Sequence, residues 1–218
     1  FDEHKVAKRE KGHRYWRSAQ VVSTRRIVLP TYRVVLSDGT ETVVSGDHQW
    51  LVSSPGGSAQ RWIRTRDLRI GQRAQRLVQQ WSEPNTWEAG YLAGILDGEG
   101  WLTQSEIGNG GTAFTLGFAQ REGAVLDVAL RILDAWGFDY ALKSRSDGVH
   151  TVTLRGGRSE VLRLLGTVRP QRLLAKVEPD LLGRVVAIDQ PSIVSVEPLG
   201  PGEVIALETT IRTLVAQG

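Results

Sequence analysis

Between Gly123 and Trp136, apolar residues recur at Val125, Val128, Ala129, Ile132 and Leu133, a helical spacing that predicts an amphipathic helix stopped by Gly137. Two strand-like runs precede it, Trp101 to Ile107 and Ala113 to Gln120. The turn Gly108-Asn109-Gly110-Gly111 joins them, which is good hairpin chemistry. A second hairpin is predicted from Tyr140 to Arg145 and from Val149 to Arg155 around Asp147-Gly148, ended by Gly156-Gly157. A further helix covers about Ser159 to Leu165, with Arg169-Pro170 beyond it. Upstream, Tyr91, Leu92, Ile95 and Leu96 give apolar bulk to a helix with Asn85 or Thr86 as its cap and Glu88 in capping-box spacing. The order helix, hairpin, helix, hairpin, helix predicts an α+β unit of about 90 residues. Ahead of it, Tyr32 to Leu36 and Thr42 to Val44 flank the turn Ser37-Asp38-Gly39 and predict β-structure.

At 218 residues the chain holds two modest domains or one large one, and its 40% hydrophobic content supports a core. No apolar run is long enough to span a bilayer, no secretory signal is visible, and cysteine is absent. Disulfides and thiolate metal sites are thereby excluded, and the expectation is an intracellular protein without a membrane partner, microbial or phage-encoded. Methionine is absent too, so the chain is expected to be an excerpt of a longer polypeptide. Charge is uneven: residues 1–86 hold fifteen Lys/Arg against eight Asp/Glu, residues 87–178 ten against eleven, and residues 179–218 two against five. The basic opening segment, with Lys5, Lys8, Arg9, Lys11, Arg14, Arg17, Arg25 and Arg26, is either a phosphate-binding surface or a solvated one.

Candidate chemistry concentrates in Gly90 to Trp101, where a glycine-spaced helix runs into two carboxylates separated by one glycine, Asp97 and Glu99. Gly90 and Gly94 share a face on which another backbone can approach closely. Gly98 and Gly100 are expected to end the helix through left-handed geometry, and acids at a helix C-terminus call for a compensating cation.

Leu92-Ala93-Gly94-Ile95-Leu96-Asp97-Gly98-Glu99-Gly100 resembles the LAGLIDADG motif of homing endonucleases. The resemblance implies an αββαββα endonuclease core over residues 85–178, in which the motif helix packs against its counterpart and the last acid binds a divalent metal that cleaves DNA. That acid falls on Glu99, a hard oxygen ligand suited to Mg2+. The same resemblance matches Gln120 to a polar residue that organises solvent near the scissile phosphate. It matches Lys176 to a lysine that supports the reacting phosphate or water, with a register uncertain by one residue and Arg172 as a competitor. It also implies a sheet laid on the DNA major groove through Thr103, Ser105, Thr115, Lys143, Arg145, Thr151, Thr153 and Arg155, with Leu142, Val152 and Leu154 turned towards the helices. One motif copy implies a homodimer through this helix on a pseudo-palindromic double-stranded DNA target.

The flanks, residues 1–84 and 179–218, resemble the two parts of a Hint splicing domain. Ser45 and His48 match its Thr/Ser-x-x-His element, Arg66-Asp67-Leu68 to Gly71 its following Leu-x-x-Gly element, and Val204 to Gly218 its closing strand pair. The implied fold class is thus an α+β LAGLIDADG core (αββαββα) inserted into an all-β Hint/intein domain. Splicing needs a nucleophile at the first residue and a terminal Asn, where Phe1 and Gly218 stand, and Ala206 replaces an expected polar residue. A truncated or inactivated splicing domain is expected, with His48 polarising the upstream scissile bond only in a full chain. His4, His13 and His150 lack ligand spacing. The functional expectation is an intein-encoded endonuclease making a double-strand break by metal-dependent phosphodiester hydrolysis. The alternatives are a cleavage-inactive DNA- or RNA-binding module and a splicing scaffold with a passenger endonuclease.

Overall fold

In a computed structural model of the chain, the structure describes residues 2–3, 14–57, 59–107 and 111–211. In chain order the strands are β1 (Asp2–Glu3), β2 (Arg14–Tyr15), β3 (Val21–Leu36), β4 (Glu41–Ser45), β5 (Gln49–Ser53), β6 (Gln60–Arg64), β7 (Arg73–Ala74), β8 (Gly100–Ile107), β9 (Gly111–Arg121), β10 (Tyr140–Ser144), β11 (Val149–Leu154) and β12 (Ile193–Thr209). The helices are α1 (Trp87–Glu99), α2 (Ala124–Ala135), α3 (Gly157–Val168) and the single turn α4 (Gln171–Leu174). Lys5, Lys8, Arg9, Lys11, His4, His13, most of the Gly108–Gly111 turn and the end of the Val204–Gly218 segment lie outside the described residues.

The expected fold class is corrected. Among the described residues strand accounts for 44% and helix for 25%, in three larger antiparallel sheets, the two-stranded β1–β2 pair and four helices, which is a mostly β protein and not the expected αββαββα LAGLIDADG core within a Hint domain. The physical reason lies largely outside the periodic helices. Val21–Leu36 and Ile193–Thr209 form strands of 16 and 17 residues that pair along almost their whole length, and only Tyr32 to Leu36 carries a clear strand pattern beforehand.

The chain separates into two compact units, one from residues 1–18 and 78–185, the other from 19–77 and 186–216, terminal single residues aside. In the first unit a four-stranded antiparallel sheet, ordered β10-β11-β9-β8, carries α1, α2 and α3 on one face. Leu116, Phe118, Val152 and Leu154 point into that face and meet Leu92 and Leu96 of α1, Ile132 and Leu133 of α2, and Leu164 and Leu165 of α3. Thr86 caps α1, its side chain accepting from the Ala89 N–H. Gly137, at φ 65°, closes α2 with the left-handed geometry its sequence position predicts. Gly100 does not behave so: its backbone is extended at φ −80°, and α1 passes straight into β8. Glycine is needed there because a Cβ would strike the Leu96 carbonyl.

In the second unit, β12-β3-β4 forms one antiparallel sheet and β6-β5-β7 another. Val34, Leu36, Val52, Ala74 and Ile193 make its small core. Arg76, whose side chain is 13% exposed, pairs with Asp38 at 2.6 Å and Asp189 at 3.6 Å and donates to the Thr40 hydroxyl.

Candidate functional site

Asp97 and Glu99 have opposite fates although one glycine separates them. The Asp97 carboxylate accepts the N–H groups of Gln171 and Arg172, both at 3.0 Å, and so caps the first turn of α4 rather than its own helix. Glu99, the last residue of α1, is exposed and makes no hydrogen bond or ion pair among the described residues. One acid serves the fold and the other stands free.

The cation expected at the helix end is Arg172. Its guanidinium donates to the carbonyls of Leu96 at 2.9 Å and Gly100 at 2.7 Å, with Nε on the Asp97 carbonyl. These carbonyls cluster at the helix C-terminus, where Leu96 also accepts the Gly100 N–H, and a half-buried arginine gathers them while offsetting the helix dipole. Arg172 is thereby committed to the backbone. Lys176 is exposed, just past α4. The segment that bears it is tied down on both sides. Arg172 holds one end at the α1–β8 junction, and Gln104 of β8 holds the other, accepting from the Glu178 N–H at 2.8 Å and donating to the Glu178 carbonyl at 3.1 Å.

Gln120 lies on β9 two residues beyond Phe118, which pairs with Gly100, the residue after Glu99. Its carboxamide oxygen accepts the Arg121 N–H at 2.8 Å, which leaves the amide N–H groups as its donors. Glu99, Gln120 and the Lys176 segment are thus all placed with reference to one junction, where α1 becomes β8.

The polar sheet positions fall as strand alternation requires. Thr103 pairs with Thr115, Lys143 with Thr151, and Thr153 with Gly117, which puts all five on the face opposite the helices, with Ser105 two residues from Thr103. Arg145 and Arg155 lie just past their strands, each ion-paired nearby, Arg145 with Asp147 at 2.9 Å and Arg155 with Asp139 at 3.5 Å. Leu142, expected to face the helices, is 47% exposed because β10 is the edge strand and its end projects past the core. Sequence reasoning missed Trp101. Its indole lies across Gly117 in the middle of this face, where a Cβ would collide with the ring and with the Val152 carbonyl. The signal was a glycine inside an otherwise β-forming run.

α1 turns an open face outward. Gly90, Gly94 and Gly98 are exposed, and a Cβ on any of them would meet nothing. Trp87, 62% exposed, stacks on Tyr91 at the start of the same helix, with ring centroids 4.8 Å apart.

In the second unit, Ser45 and His48 meet in one turn, the His48 N–H donating to the Ser45 carbonyl at 3.1 Å. The His48 carbonyl accepts from both the N–H and the hydroxyl of Thr65, a wholly buried residue whose oxygen also receives the Trp50 indole N–H at 3.0 Å. The imidazole stands edge-on to Trp50 at 5.6 Å; partial desolvation of the ring lowers its pKa from the usual 6.5, although the residue as a whole is exposed.

Among the described residues no group of three or more His, Cys, Asp or Glu side chains converges to hold an ion. Magnesium does not require one, since it is commonly held by one or two carboxylates with water and substrate phosphates. The free Glu99 carboxylate fits that mode. No helix among the described residues is long and apolar enough to cross a membrane. No protein-family model matches the chain, and no curated protein is significantly similar to it.

Proposed function

We propose that the protein is a DNA endonuclease of the intein-encoded homing type, intracellular, acting as a homodimer on a long pseudo-palindromic site. The observation that carries the reading is the free carboxylate of Glu99 at the end of a helix whose outward face is glycine. Glycines without neighbours at an exposed helix face permit a second copy of the helix to approach to backbone contact. That approach would bring two Glu99 carboxylates together, and a pair of hard oxygen ligands would hold Mg2+ with DNA phosphates completing its shell. The metal, when bound, supplies Lewis-acid activation of the phosphodiester and of the attacking water.

The chain's own residues do the remaining work. Arg172 neutralises the helix end and so permits a second acid at position 99 without uncompensated repulsion from the α1 dipole. Gln120 offers amide donors to orient water, and Lys176 offers a cation to the charge that develops on the phosphate. The polar sheet face, from Thr103 and Thr115 to Lys143 and Thr151, supplies donors for base edges and phosphates. Ser45 and His48 share a turn, and in a complete splicing domain His48 would polarise the upstream scissile bond.

The test uses plasmid carrying a selected target, with and without Mg2+, and Glu99→Gln beside the unaltered chain. Cutting is expected only with magnesium and only with Glu99, while DNA binding survives the substitution. Equal cutting by Glu99→Gln overturns the assignment. Binding without cutting by the unaltered chain leaves a recognition module in its place.

A further inference from the structure

On the open face of the first unit's sheet, Trp101 heads a row of small residues. Gly117, Thr153 and Ala141 follow it in register across β9, β11 and β10, and the indole lies over Gly117. The ring takes no part in the apolar cluster beneath α1, α2 and α3. The residue is half-buried, and its indole N–H makes no hydrogen bond among the described residues while remaining open to solvent. Thr103 and Thr115, themselves a cross-strand pair, continue the same face along the strands.

A flat apolar ring with one free donor recognises two things at once. In the major groove thymine alone sets an acceptor, O4, beside a methyl group on C5. Guanine offers acceptors without a methyl, adenine an acceptor beside a donor, and cytosine a donor. An indole that covers the methyl and donates to O4 therefore suits thymine and leaves a group unmatched on every other base. Trp101 is two positions past Glu99, at most about 7 Å along the chain. Base pairs rise about 3.4 Å, so the base it meets lies within a few pairs of the bond that Glu99 faces.

We propose that Trp101 is a specificity-determining residue that reads one thymine in each half-site, its ring on the C5 methyl and its N–H on O4. The proposal rests on the DNA reading of this sheet face made above. It does not depend on Glu99 or on cutting, because the contact forms on binding.

The experiment binds the full chain to a pool of randomised duplexes without magnesium, then recovers and sequences the bound fraction. Thymine is expected at one position of each half-site, mirrored by the dyad, and Trp101→Thr is expected to erase that preference while leaving the others. On the recovered sequence, uracil in place of this thymine keeps O4 and loses only the methyl. It is expected to weaken binding of the unaltered chain about fourfold, the worth of one methyl group. 5-Methylcytosine keeps the methyl but replaces O4 with a donor; it is expected to bind more weakly than thymine, and Trp101→Phe, which has no N–H, to narrow that gap. Equal affinity of the unaltered chain for thymine and uracil at every position overturns the proposal, as does a thymine preference that survives in Trp101→Thr. A chain that reads thymine through Trp101 but never cuts with magnesium keeps the contact and rejects the endonuclease. One that cuts with magnesium and shows no preference responsive to Trp101 does the reverse.

Discussion

The two units differ in how they bury their sheets. In the first, eighteen buried apolar side chains form one cluster between a four-stranded sheet and its helices; in the second, five suffice for two sheets. A helix laid on a sheet covers a whole face, so alternate strand residues become core. The long β3·β12 ribbon has no such cover over much of its length, and Val21, Val22, Val28, Ile205 and Leu207 remain exposed along it. It is held by backbone pairing and by surface contacts such as Arg26–Glu203 at 3.0 Å and Arg33–Glu197 at 3.8 Å. The first unit is therefore specified by packing and the second largely by its ladder and a few polar clamps.

The strongest way to break this contrast is Leu164→Ala, which deletes a 2%-exposed side chain from the larger core and is expected to cost about 2–5 kcal/mol in denaturant unfolding. Val52→Ala in the smaller core is expected to cost about 2 kcal/mol, from two carbons at ~0.8 kcal/mol each and a cavity term. Hydrogen exchange sharpens the pair: Leu164→Ala should speed exchange in α1, α2 and α3, and matching acceleration through residues 19–77 would show that the contrast is not a division in stability.

Arg172→Leu removes the side-chain donor shared by the carbonyls of Leu96, Asp97 and Gly100, of which Leu96 keeps the Gly100 N–H, and is expected to cost about 1.5–3 kcal/mol by thermal unfolding. Gly117→Ala is expected to cost about 1–3 kcal/mol, since Trp101 and the Val152 carbonyl leave no room for a methyl. If Gly117→Ala is neutral, Trp101 does not lie across the sheet.

A smaller effect distinguishes the second unit. The His48 pKa is lowered on folding, so the unfolded chain binds the extra proton first; this contribution is fully present above the ordinary value of 6.5 and is lost as pH falls through it towards the folded value. His48→Gln is expected to flatten the stability profile in that window, and a profile identical to that of the unaltered chain would remove the imidazole's part. Smallest of all, Arg26→Ala is expected to cost about 0–1 kcal/mol, because its partner Glu203 and Arg26 itself are exposed.

The periodic parts were legible beforehand for a simple reason: α2 and the two hairpins of the first unit each bury one face, and one-sided burial writes a period into the residues. The ribbon was not. With both faces open over Val21 to Leu29, neither face demands alternation, so a 16-residue strand showed itself only from Tyr32 onward. The same absence of pattern hid how much of the chain is strand and led to the wrong fold class.

At the candidate site, residue order alone placed two acids at the end of a glycine-faced helix and required a cation near them, because helix geometry and the backbone dipole are local properties. Which acid would remain free was decided elsewhere. Arg172 and the N–H groups of α4 lie more than seventy positions along the chain, and only packing of α4 against α1 could engage Asp97 and leave Glu99 to solvent.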